Sequence, residues 1–201
     1  GIVNGMKIAM HYADDTLETL RSHGLSICDV TALQRKGVKG TQAANRLEQH
    51  GISIPDKANS WQQHESGALI LRLGNAEYLI EDTASTELIN TVVSQVDASN
   101  GLHPVPRNDA AFIISGAHVD SLFSQVCAVD LLSGALDNNR LMMTSMAGVS
   151  VTILMQTLNG ETVYRLWCDG SYGTYLWHTL LGIIEEQGGG PVGFNFYYEI
   201  N

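Results

Sequence analysis

The stretch VSVTILMQTLNGETVYRLWC, residues 149–168, decides the fold. Two runs rich in β-branched and aromatic residues, 149–157 and 162–168, flank Asn159–Gly160. Asn-Gly is the strongest short hairpin signal, because a two-residue type I′ turn needs positive φ at both central positions. Immediately before it, LMMTSM (141–146) reads as a further strand turning at Ala147–Gly148. An earlier pair, ALILRL (68–73) and EYLIE (77–81), flanks Gly74–Asn75, which suits a type II′ turn.

Helical periodicity alternates with these hairpins. Val119, Leu122, Phe123 and Val126 recur at i, i+3, i+4 and i+7 after Gly116. Leu88, Ile89, Val92 and Val96 mark one face of a helix over 85–97, with Ser85 or Thr86 as N-cap. Tyr172, Leu176, Leu180 and Ile184 form an i, i+4 ladder, stopped by the glycines at 188–190. A short helix opens at Thr41 and closes at Gly51, a suitable C′ residue.

In chain order these elements repeat. Strand 32–39, Gly40, helix 41–50, hairpin 67–82 and helix 85–97 are followed by strand 111–115, Gly116, helix 117–127, strands 141–168 and helix 171–186. The expected fold is α+β, a duplicated strand–helix–hairpin–helix unit. Its divisions are an N-terminal segment 1–24, a first repeat 25–98, a connector 99–109 and a second repeat 110–201 that ends in a strand over 192–200, all in one folding unit.

Composition narrows the function. Eleven basic residues face 21 acidic ones, a formal net charge of −10, which disfavours nucleic acid and anionic membrane surfaces. The nearest basic cluster, Arg35, Lys36 and Lys39, is too small to change this. No apolar run reaches the roughly 18 residues of a membrane span, and no signal peptide is expected. Charged residues are only 16% of the chain, against roughly 25% in globular chains, which hints at a surface covered by a partner. Cys28, Cys127 and Cys168 are odd in number and widely spaced, so buried thiols and a cytoplasmic setting are expected.

The motifs that could carry chemistry favour bland readings. GGGPVG (188–193) matches G-x-G-x-x-G but follows a helix and contains Pro191, so it reads as a helix-terminating loop. The seven histidines show no metal-ligand spacing. Asp169-Gly-Ser-Tyr-Gly173 misses a nucleophile elbow by one position and reads as a helix N-cap turn. The adjacent acids Asp14–Asp15, Glu81–Asp82 and Glu185–Glu186 sit at element ends, where solvated carboxylates are ordinary. No catalytic, cofactor-binding or metal-ligating residue is assigned. The candidate residues are instead structural or interfacial: Asn59 and Trp61 before the first hairpin, Arg72 and Glu77 within it, and Arg107 and Asp109 beside Pro106. Arginine with a carboxylate in such places is usually a register-fixing ion pair, and Trp with Arg also anchors subunit interfaces.

The stretches CDVTAL (28–33), KGVKG (36–40), NSW (59–61), RLGNAEYLI (72–80), VPRND (105–109), CAVDL (127–131), MTSMAGVSV (143–151) and TYLWHTLLGIIEE (174–186) resemble the gamma subunit of heterotetrameric sarcosine oxidase. The likeness is collinear over about residues 25–190. Residues 1–24 add little to it, and Met143 departs from it where a polar residue is expected. It implies the fold of the folate-binding domain of glycine-cleavage T-protein, as two intertwined α+β subdomains, interlocked around Arg72, Glu77, Arg107 and Asp109. It also implies a non-catalytic subunit packing on an alpha subunit, beside beta and delta subunits, with FAD, FMN, NAD and tetrahydrofolate held by those partners and none by this chain. The amine oxidised stays open, since N-methylglutamate dehydrogenase uses similar small subunits. The alternative is a free-standing tetrahydrofolate-binding aminomethyltransferase, and an isolated subunit of this kind can self-associate to cover its interface.

Overall fold

The computed structural model describes residues 1–84, 88–90, 101–131 and 133–198. The chain forms two compact units, one of residues 1–32, 109–138 and 142–201, the other of residues 33–108 with 139–141. The N-terminal stretch contributes β1 (Ile2–Val3), β2 (Met6–Lys7), α1 (Asp15–Gly24) and β3 (Ser26–Asp29). Then come β4 (Arg35–Lys39), α2 (Ala43–Gln49), β5 (Ser60–Gln63), β6 (Leu69–Gly74), β7 (Glu77–Glu81) and β8 (His103–Val105). The remainder supplies β9 (Asp109–Ser115), α3 (Val119–Val126), β10 (Leu141–Met146), β11 (Val149–Leu158), β12 (Glu161–Asp169), α4 (Gly173–Glu186) and β13 (Gly190–Pro191). The expected helix over 85–97, with its cap at Ser85 or Thr86, falls mainly outside the described residues; residues 88–90, which are described, are helical.

The duplication is written in the strand order. The six-stranded sheet runs β10-β11-β12-β9-β3-β13 and the five-stranded sheet β5-β6-β7-β4-β8. Apart from β13 the two orders coincide, with β5, β6, β7, β4 and β8 standing for β10, β11, β12, β9 and β3. The fold is α+β, built twice. The fifth strand of each order comes from elsewhere in the chain: β3 lies within residues 25–98 yet pairs with β9, and β8 lies within the 99–109 connector yet pairs with β4.

The deciding hairpin forms as its turn chemistry requires. Leu158 pairs with Glu161, and Asn159 and Gly160 take φ of 52° and 85°. The first hairpin differs from expectation. Gly74 pairs with Glu77, a bulge separates it from Arg72, and Gly74 does not take positive φ, so no II′ turn is centred on Gly74–Asn75. The Arg72 guanidinium, donating to the Gly74 and Asn75 carbonyls at 3.3 and 3.1 Å, holds the loop in this other path.

In the first unit, Ile27, Phe112, Ile114, Val151, Ile153 and Leu166 present one face of the sheet to Leu122 and Phe123 of α3 and to Leu176, Leu180 and Ile184 of α4. Each such side chain, fully buried, contributes about 1.5–3 kcal/mol. Tyr172, expected at the head of the α4 ladder, is 54% exposed, because it lies in a 3-10 turn before the helix. The expected strand over 192–200 does not form in the described residues, where β13 ends at Pro191 and a 3-10 turn spans Phe194–Phe196. Phe194 and Asn195 donate to the carbonyls of Ala9 and Met10, and the buried pair Phe194 and Tyr197 is spaced three apart, which suits 3-10 winding rather than strand alternation.

The opposite face of that sheet carries polar groups that find partners. Arg165 is fully buried, donates to the Tyr198 hydroxyl and lies over the rings of Trp167 and Tyr198 at 5.6 and 5.9 Å. The Tyr197 hydroxyl donates to Ser115 Oγ at 2.9 Å, and burial raises its phenol. Glu18, inside α1 and 1% exposed, accepts the backbone N–H groups of Tyr12, Ala13 and Gly193.

In the second unit, Val38, Ile70, Tyr78 and Ile80 pack with Ala43 and Leu47 of α2 and with Ile52 and Leu102. The N-cap of α2 is Gln42, so the expected Thr41 cap is not used, while Gly51 takes φ of 77° beyond the helix end as expected. Glu81 and Asp82 are not the solvated pair the sequence suggests, being 1% and 2% exposed. Glu81 accepts from Arg35 Nε at 2.5 Å, and Asp82 accepts from the N–H groups of Thr83 and Ile89.

Candidate functional site

Asn59, Trp61 and Arg72 belong to one structural brace within the second unit. Asn59 takes φ of 58°, donates its N–H to the Arg72 carbonyl at 2.8 Å and accepts from Leu141 N–H at 3.0 Å. Trp61 donates its backbone N–H to Asn139 at 2.8 Å, and its ring is buried opposite Leu71. Asn59 and Trp61 therefore tie residues 139–141 to β5, and Asn59 joins them to Arg72 of β6. Among the described residues Arg72 takes no carboxylate partner. Its guanidinium donates to the carbonyls of Pro55, Asp56, Gly74 and Asn75 and lies 5.7 Å from the Tyr78 ring centre. Guanidinium has five donors and no acceptor, so gathering loop carbonyls is work suited to it. Glu77 stands opposite Lys39 across β4 and β7. The stem of Arg107 packs on Gly37, where a Cβ would meet its Cδ at 3.2 Å. Asp109 opens β9 opposite Asp169 and helps raise the Cys168 thiol, after burial.

The thiols follow the sequence reading in part. Cys28 and Cys168 are buried and Cys127 is half-buried. Burial, and then the Asp29 charge, push the Cys28 thiol well up, and its Sγ faces the Gly193 carbonyl at 3.4 Å. Among the described residues no group of three or more His, Cys, Asp or Glu could hold a metal ion, and no helix is long and apolar enough to cross a membrane. The glycine-rich run terminates α4: Gly188 donates to Glu185, and Gly190 pairs with Ser26.

One cleft in the first unit was not legible in the sequence. It has a volume of about 290 Å³ and opens between the loop at Tyr12, the end of β3 and the start of α4. Its apolar lining is Tyr12, Phe112 and Trp177. Trp177 stacks on Tyr12 with centroids 6.3 Å apart and meets Phe112 at 5.6 Å. The polar lining is Asp29, Thr31, Thr174 and His178. An Asx turn fixes Asp29, whose Oδ1 accepts from Thr31 N–H at 2.9 Å, and Thr31 Oγ1 accepts in turn from Ala111 N–H at 3.0 Å. Gly173 lets α4 start against β9, because a Cβ there would lie 2.6 Å from that of Ala110. The Tyr12 phenol is raised by burial and then by the Asp29 charge.

No protein-family model matches the chain, and no curated protein matches it. Solved structures do. A chain of heterotetrameric sarcosine oxidase from Corynebacterium sp. U-96, in a complex with pyrrole 2-carboxylate, superposes with a TM-score of 0.68 at 20% identity, covering 88% of this chain and 93% of that one. The glycine cleavage system aminomethyltransferase T from Bartonella henselae superposes with a TM-score of 0.69 at 14% identity over 96% of this chain. This chain spans 55% of that aminomethyltransferase chain. At these identities the likeness is one of fold: the chain has the α+β architecture shared by these sarcosine oxidase and aminomethyltransferase chains.

Proposed function

We propose that this chain is a small, non-catalytic subunit of gamma type in a multi-subunit oxidase or dehydrogenase of sarcosine or another N-methyl amino acid. It packs on the alpha subunit, beside beta and delta, and FAD, FMN, NAD and tetrahydrofolate are held by those partners in the cytoplasm. The observation that carries this reading is the structural match to 93% of a sarcosine oxidase chain that works within a heterotetramer. Surface chemistry supports it. Val129 and Tyr175 are 41% and 54% exposed, and each falls in a stretch that carries the sequence resemblance. On this reading Asn59, Trp61, Arg72, Glu77, Arg107 and Asp109 hold the shape of the surfaces that partners meet.

Co-expression with candidate flavoprotein alpha and beta chains of such an oxidase tests the proposal. A stable complex on size exclusion, with flavin absorbance co-eluting, is expected. A chain that elutes alone in their presence overturns it. The aminomethyltransferase match favours a second reading, a free-standing tetrahydrofolate-binding protein. Calorimetric titration of the isolated chain with tetrahydrofolate separates the two, since binding heat is expected only under the second.

A further inference from the structure

We propose that the cleft beside Trp177 is a binding site for a small alkylated ammonium compound. This inference is independent of the assembly reading, because it rests on the cleft alone. Asp29 contributes a carboxylate whose one hydrogen bond comes from Thr31 N–H, and among the described residues it meets no basic side chain. The lining contains no lysine or arginine. Its negative potential is felt by its neighbours, since the Asp29 charge contributes to raising both the Tyr12 phenol and the Cys28 thiol.

The other lining groups suit the same ligand. Tyr12, Phe112 and Trp177 bring three aromatic rings to one small volume, and ring faces attract cations whose methyl groups also gain from leaving water. A metal ion would find one carboxylate and no second acidic ligand among the lining residues. An anion would be attracted to the start of α4, but the exposed Asp169 carboxylate already accepts from Ser171 N–H there, at 2.9 Å. At about 290 Å³ the cleft lies at the low end of small-molecule sites, with room for a choline-sized cation and water beside it.

The test titrates the full chain with choline chloride while following tryptophan emission, against potassium chloride at matched ionic strength. Trp177 is the half-buried reporter, since Trp61 and Trp167 are 8% and 1% exposed. Choline is expected to give a saturable change, with 3,3-dimethylbutan-1-ol, its uncharged isostere, at least about tenfold weaker. Asp29→Asn, which retains the acceptor for Thr31 N–H, is expected to weaken choline about tenfold and leave the alcohol unchanged. Equal affinity for choline and the alcohol, or a choline effect no larger than that of potassium chloride, overturns the proposal without recourse to any variant. So does unaltered choline binding by a folded Asp29→Asn chain.

Discussion

Gly40 and Gly116 occupy the same place in the two halves of the chain. Each follows a central strand, takes φ of 125° or 118°, and faces a glycine carbonyl: a Cβ would lie 2.0 Å from Gly101 O in one and 2.3 Å from Gly24 O in the other. The crowded carbonyls are equivalent too. Gly101 O accepts from Gln42 N–H and Gly24 O from His118 N–H, and each glycine precedes a buried leucine and a short strand. Gly40→Ala and Gly116→Ala are each expected to cost about 2–4 kcal/mol, because strained φ and a backbone collision act together. Gly160→Ala is the control. Its φ is 85° with no atom within 4 Å of a Cβ, so only the left-handed penalty of about 1–2 kcal/mol applies. Urea denaturation compares the three, and equal losses would refute the part assigned to backbone crowding.

These glycines also show how far the sequence could be read. Gly40 and Gly116 were visible as punctuation between strand and helix, and with the two hairpins they exposed the duplication. The strands that complete each sheet were not visible. SICD and HPV are four and three residues long, too short for alternation to register, and their partners lie far off in the chain. Arg72 drew attention for interrupting an apolar strand, but its carbonyl partners come from loops whose paths no pattern encodes. The cleft was invisible for the same reason: Tyr12, Asp29, Phe112 and Trp177 come from four separated segments. The apolar alternation of 192–198 misled, because its aromatic groups pack from a 3-10 turn.

The Arg35–Glu81 pair sits directly across β4 and β7, with side chains 3% and 1% exposed. Removing one partner strands a buried charge. Arg35→Met or Glu81→Leu alone is expected to cost about 3–5 kcal/mol, while the double substitution recovers most of the loss, because desolvation of both ions is then relieved. A double-mutant cycle in urea measures this. Additive losses would show that the two side chains stabilise the sheet through separate contacts.

The buried thiols make stability fall in alkali. Cys168 is pushed up to about 11, chiefly by burial and then by Asp109 and Asp169. A thiol in the unfolded chain ionises near pH 8.5, about two and a half units lower. Between those values the unfolded chain has released the proton and the folded chain retains it, so unfolding is favoured as pH rises, and below that window the thiol contributes no slope. Cys168→Ala is expected to flatten the decline in unfolding free energy between about pH 8.5 and 11. Thiol reagents at neutral pH should label half-buried Cys127 first and leave Cys28 and Cys168 for denaturant. Peptide mapping reads the order directly.

Ala147 is the one described residue besides glycine and asparagine with positive φ, at 48°, and Gly148 follows it at 81°. Asn4, Asn59, Asn138, Asn139 and Asn159 fill the other such positions, as expected of the side chain that best tolerates left-handed backbone. Ala147–Gly148 thus turns β10 into β11 with the geometry of Asn159–Gly160 but with a less suitable first residue. The backbone of Ala147 is fully used: its N–H donates to Val126 O at 2.7 Å and its carbonyl accepts from the Tyr175 hydroxyl at 3.2 Å. Substitution to asparagine leaves both bonds in place. Ala147→Asn is therefore expected to stabilise the chain by about 1 kcal/mol through relief of left-handed strain. Ala147→Gly should gain less, because glycine also adds freedom to the unfolded chain. Ala147→Val should lose about 2 kcal/mol, since β-branching is least compatible with this φ. The ranking Asn, Gly, Ala, Val in thermal and urea midpoints is the expected result. A destabilised Asn variant would mean that the alanine methyl group, packed against the core of the first unit, outweighs the backbone strain.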